Sequence, residues 1–130
     1  RETRVTFSCL LLVLLSAAQC SEGATYEDFK DKHIRRKEDI KDCKEMMENM
    51  KDRKINTFII DSEENIKQVC KDGTFIRQDK PHNSDIYESK KVFDLFDCEQ
   101  GHDKYPDKRM PARIRIACRK GLPVHFEKYP

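Results

Sequence analysis

Four histidines carry the most adaptable chemistry in this 130-residue chain. Imidazole has an unperturbed pKa of about 6.5 and can take or give a proton near neutral pH. His33 follows Phe29 by four residues and shares a helical face with it. His125 stands in an apolar, strand-like run between Val124 and Phe126. Proton transfer is the reaction open to both, although a histidine on an apolar face is more often structural than catalytic. His82 and His102 lie in polar stretches and read as solvated loop residues. No reliable Ser–His–Asp arrangement, glycine-rich phosphate loop or metal-ligand spacing accompanies them.

The elements that must position these residues are short. Thr25 with Asp28 three residues on is a capping-box start with Asp in place of Glu. Tyr26, Phe29 and His33 then recur at helical spacing. Ile40, Cys43, Met46, Met47 and Met50 predict a second amphipathic helix. Ile55 to Ile60 reads as a strand, and Ser62 caps a third helix with Ile66, Val69 and Cys70 inward. Thr74-Phe75-Ile76 is strand-like, 79–89 is polar and reads as a loop, and 92–98 is a Phe-rich strand. Gly101 to Pro111 predicts a long turn. Arg113 to Cys118 alternates, with Ile114, Ile116 and Cys118 on one face, and Gly121-Leu122 breaks the chain before a last strand. Helices first and antiparallel strands after them make an α+β fold.

Arg1, rather than Met, opens the sequence, and the expectation is that residues precede it. Arg1 and Arg4 lead into an apolar run, Cys9 to Leu15, and then Ser16-Ala17-Ala18. This is a secretory signal pattern, assigned to residues 1–24, with cleavage after Cys20 or after Gly23. The run is shorter than the roughly 20 apolar residues that span a bilayer. An uncleaved anchor is the competing reading. The remaining domain, 25–130, is one small unit with a modest core and no Trp. Four cysteines stay with it, Cys43, Cys70, Cys98 and Cys118. An even set in a small secreted chain reads as two disulfides, with three pairings open. A zinc site is the alternative, but neither a CxxC nor an HxxxH pair exists. Net charge is only +2, from 26 Lys plus Arg against 24 Asp plus Glu. Any attraction for nucleic acid must therefore come from clustering.

The order Phe29-Lys30-Asp31-Lys32-His33-Ile34, Cys43-Lys44-Glu45-Met46-Met47, Asn56-Thr57-Phe58-Ile59 and Leu122-Pro123-Val124-His125-Phe126 resembles the pancreatic-type ribonuclease superfamily. The resemblance runs from about Tyr26 to the end, in the style of its fish, amphibian and angiogenin-like members. It implies three short helices packed on a bent antiparallel sheet. It also implies a secreted, pyrimidine-preferring endoribonuclease that needs no metal or other cofactor. RNA's own 2′-hydroxyl attacks the adjacent phosphorus, His33 takes its proton, and His125 protonates the leaving 5′-oxygen. DNA has no 2′-hydroxyl and is not cut.

By the same resemblance a cation neutralises the phosphorane. The family's lysine position holds Arg53, with Lys54 next to it, and Arg is not equivalent to Lys at such a site. Asn56 belongs to the substrate-binding strand, and Thr57 matches the residue that reads the base through its hydroxyl and backbone. Phe126 packs against the base, Lys32 replaces a glutamine and can meet phosphate, and Glu127 stands where an aspartate orients the second histidine. The implied disulfides are Cys43–Cys98 and Cys70–Cys118. A third family disulfide falls on Asp52 and either Asp107 or Lys108, so an Asp52–Lys108 ion pair and a looser loop around Arg53 are expected there.

The implied partner is RNA, bound by a monomer. The alternative is a secreted protein of the same fold with weak catalysis and an angiogenic or host-defence role. Its partners would be anionic cell surfaces met by Lys30-Lys32-Arg35-Arg36-Lys37 and Arg113-Arg115-Arg119-Lys120, runs that also read as ordinary solvated faces.

Overall fold

The computed structural model describes residues 24–50, 53–100 and 107–128. The signal segment, Asp52 and His102 lie outside the described residues, and so does the Asp52–Lys108 ion pair.

Helix α1, Tyr26–His33, begins at the expected capping box: Thr25 accepts from the Asp28 N–H, and Asp28 accepts from the Thr25 N–H. It ends in a two-residue strand β1, Ile34–Arg35. The second helix is shorter than its apolar spacing suggests. Only Cys43–Met46, α2, is α-helical, capped by Asp42, and a 3₁₀ turn, Lys37–Asp39, precedes it. Strand β2 spans Ile55–Ile60. Ser62 caps α3, Glu63–Lys67, as the sequence indicates. At Gln68 the chain breaks into α4, Val69–Asp72. Gly73 then lets β3 leave, since a Cβ there would lie 2.4 Å from the Val69 carbonyl oxygen.

The remaining strands are β3, Thr74–Asp79; β4, Ser84–Glu88; β5, Phe93–Glu99; β6, Asp107–Ala112; β7, Arg115–Arg119; and β8, Leu122–Lys128. Two expectations are corrected here. The 79–89 segment begins at the end of β3, makes a 3₁₀ turn, Lys80–His82, and continues as β4, because cross-strand pairing overrides its polar composition. The region read as a turn ends in β6, where Pro111 is tolerated on an edge strand.

The strands form two four-stranded sheets, ordered β1-β2-β5-β6 and β3-β4-β7-β8. All pairings except β1 with β2 are antiparallel. Buried Ser89 clasps the place where the chain crosses between sheets. Its N–H donates to the Ile114 carbonyl, and its Oγ accepts from the Ile114 N–H.

The larger core joins Phe29, Ile59, Ile66, Phe93, Leu95 and Ile116 from both sheets, α1 and α3. A smaller one gathers Met47, Phe58 and Phe96. Each contains a disulfide. Cys43–Cys98 ties α2 to β5 and Cys70–Cys118 ties α4 to β7, across 55 and 48 residues. Loops of that length each contribute about 4 kcal/mol in the chain-entropy view. The β7–β8 hairpin turns on Lys120 and Gly121, both at positive φ. This is the tight two-residue turn whose twist suits antiparallel strands, and it delivers His125 four residues later.

Candidate active site

His33 ends α1 and is 5% exposed. Its Nδ1 lies 2.8 Å from the Thr57 carbonyl oxygen. A carbonyl can only accept, so Nδ1 carries the proton and Nε2 keeps its lone pair. Phe29 and Phe126 flank the ring, at centroid separations of 5.1 and 5.3 Å. Burial pushes the His33 pKa down to about 4; the nearby charges of Arg53, His125 and Lys32 push the same way, and the Thr57 hydrogen bond opposes them.

β2 and the residues just ahead of it supply the next three groups. Arg53 Nη1 donates to Asn56 Oδ1 at 2.6 Å, and Asn56 Nδ2 donates to the Lys32 carbonyl at 2.8 Å. Buried Asn56 therefore locks the guanidinium to the end of α1. The Thr57 hydroxyl donates to the Asp97 carboxylate, directly opposite in the β2–β5 register. His33, Arg53, Asn56, Thr57, Phe126 and Glu127 share a cavity of about 320 Å³, which Ile55 and Asp97 complete. Lys54 is exposed and does not line it, and Lys32 meets the site through its carbonyl while its side chain is exposed.

His125 is brought near this group but not into it. Its ring lines an adjoining cavity of about 510 Å³. There it lies parallel to His82, 6.5 Å between centroids. The pKa of His125 falls below its ordinary 6.5 through partial desolvation and the charges of His82 and Arg53, with Asp79 and Glu127 acting in opposition. His82 is exposed, as expected of a loop histidine, but it is not free: its Nδ1 is 2.9 Å from Asp79 Oδ2. Glu127 is paired with Arg77. Asp97 and Arg77 escaped the sequence reading, and His82 reads there only as a solvated loop residue. Only strand register brings them to these positions, and no local spacing signals it.

An α+β fold with two disulfides, a buried histidine under a strand carbonyl and a second histidine near the chain's end defines a ribonuclease-like protein. The sequence matches the pancreatic ribonuclease family over residues 24–127, and the chain belongs to that family. It is 38% identical over 78 residues to the pancreatic ribonuclease of Iguana iguana, covering 55% of this chain and 61% of that protein. It is 35% identical over 98 residues to angiogenin-1 of Bos taurus, covering 66% and 62%. These matches thus span less than two thirds of either relative. The crystal structure of green turtle egg white ribonuclease superposes with a TM-score of 0.68 at 26% identity, covering 81% of this chain and 98% of that one.

Proposed function

We propose that this protein is a secreted, metal-independent endoribonuclease that cleaves RNA after pyrimidines. The observation that carries the reading is the His33–Thr57 hydrogen bond, which leaves an unprotonated Nε2 in a cavity shared with a locked guanidinium. His33 Nε2 takes the proton of the 2′-hydroxyl as its oxygen bonds to phosphorus. Arg53 stabilises the charge that builds on the phosphorane oxygens. The P–O5′ bond breaks, and the leaving oxygen takes a proton from the His125 imidazolium, giving a 2′,3′-cyclic phosphate. Hydrolysis runs the proton transfers in reverse. His125 reaches the leaving group by swinging out of the adjoining cavity.

Thr57 reads the base. Its hydroxyl donates to Asp97 and so presents lone pairs to the cavity. That polarity suits the N3–H of uracil better than the bare N3 of cytosine. Phe126 and Asn56 shape the pocket, and exposed Lys32 meets a flanking phosphate. The domain is residues 25–130, released by removal of 1–24, acting as a monomer on RNA and leaving DNA uncut.

A weakly catalytic, angiogenic or host-defence protein that binds anionic surfaces is the second reading. The position of His125 against His82 favours it. Cleavage of UpA by the purified, disulfide-bonded protein separates the two. The enzyme reading expects turnover that falls roughly 10²–10⁴-fold in His33→Ala and in His125→Ala. An inactive parent protein would favour the binding role, and turnover that survives His125→Ala would sink the mechanism.

A further inference from the structure

The carboxylate next to the second histidine is already engaged. Arg77 on β3 grips Glu127 on β8 through two nitrogens: Nη2 donates to Oε2, and Nη1 lies 3.4 Å from Oε1. Backbone irregularities serve this contact on both strands. The β3–β4 register slips between Phe75 and Arg77, and the β7–β8 register slips between Arg115 and Ile116, leaving Glu127 without a cross-strand partner of its own. Such bulges re-aim side chains. The Glu127 side chain is only 18% exposed, so few other positions are open to its carboxylate.

Meanwhile His125 is turned toward the tip of β3 and the turn that follows it. His82 lies parallel to its ring, and Asp79 fixes His82. The other titratable and charged groups around His125 are Arg53 ahead of β2, neutral His33 across the site and Lys120, which lines the same cavity. Arg119 is occupied, donating to the carbonyls of Ala24, His82 and Asn83.

We propose that Arg77 is a positioning residue for His125: by holding the Glu127 carboxylate, it leaves His125 stacked on His82 and outside the cavity of His33. The consequence for cleavage rests on the ribonuclease reading, whereas the effect on His125 does not. With Arg77 removed, Glu127 is an unpaired carboxylate on the same strand as His125. It then favours the imidazolium and can draw the ring toward the His33 cavity.

The test follows the His125 ring protons by NMR as a function of pH, without RNA, in the purified disulfide-bonded protein. Arg77→Ala should raise the His125 midpoint by about one pH unit. Adding Glu127→Gln should cancel that rise, and Glu127→Gln alone should move the midpoint less than Arg77→Ala does. Arg77→Lys, which keeps the charge but not the fork, should fall between the parent and Arg77→Ala. Spectral dispersion reports whether each variant is folded. UpA turnover above the parent midpoint should rise severalfold in Arg77→Ala. An unmoved midpoint in Arg77→Ala would overturn the proposal, as would a rise that persists in the double variant. A midpoint that rises as expected, in proteins that never cleave UpA, would uphold the role of Arg77 and remove the ribonuclease reading instead.

Discussion

The two histidines of this protein live in opposite kinds of surroundings. His33 is buried at a helix end, fixed by a strand carbonyl and two aromatic rings. His125 is exposed on the last strand, beside a second imidazole and a carboxylate committed elsewhere. The first environment fixes a tautomer and holds the ring neutral. The second leaves the ring stacked on His82, lining the other cavity. A base benefits from the first, because its lone pair must wait in place. An acid benefits from the second, because it must carry a proton to a leaving group and later take one back.

The sharpest challenge to this contrast is at the cation. Arg53 is locked into the His33 half by Asn56, whereas Lys54 is exposed beside it. Arg53→Ala should lower kcat/KM for UpA roughly 10²–10³-fold, and Lys54→Ala should change it less than about threefold, as expected of a solvated surface charge. The reverse order would mean that the loop rearranges when RNA binds.

A second challenge reads the burial of His33 as stability. Its pKa is lowered from 6.5 to about 4, so the unfolded chain binds the extra proton first. The His33 contribution to stability is full above pH 6.5, falls as pH drops through that value, and is lost below about 4. The loss is about 3 kcal/mol. Urea unfolding at pH 7 and pH 4 should show it in the parent and lose that component in His33→Leu. An equal pH dependence in both proteins would mean that His33 titrates normally.

The smallest effect concerns the base. Asp97→Ala frees the Thr57 hydroxyl to donate, and the preference for UpA over CpA should fall by roughly two- to tenfold, the scale of one hydrogen bond. An unchanged preference would detach Asp97 from base reading.

The contrast also marks what the sequence could disclose. The capping box at Thr25, the cap at Ser62 and the alternation of Ile114, Ile116 and Cys118 are local patterns, and each forms as read. The disulfides follow from family resemblance, since spacing alone allowed three pairings. The apolar spacing predicts a longer second helix than forms: Met46, Met47 and Met50 pack around the Cys43–Cys98 disulfide without a continuing helix. Asp97 beside Thr57, Arg77 on Glu127 and His82 on His125 join residues 40, 50 and 43 positions apart in the chain. No periodicity reaches that far. The buried half of the site, built on α1 and β2, was therefore more legible than the half on β8, whose neighbours come from the other end of its sheet.

The pH dependence of kcat/KM for UpA tests the central claim most directly. The proposed mechanism needs His33 unprotonated and His125 protonated, and both are shifted downward. The expected profile is a bell on the acid side of neutrality, its acid limb near pH 4 and its alkaline limb below 6.5, with the alkaline limb lost in His125→Ala. An acid limb near 6.5, or an alkaline limb that persists without His125, would contradict the proposed division of labour between a buried base and an exposed acid.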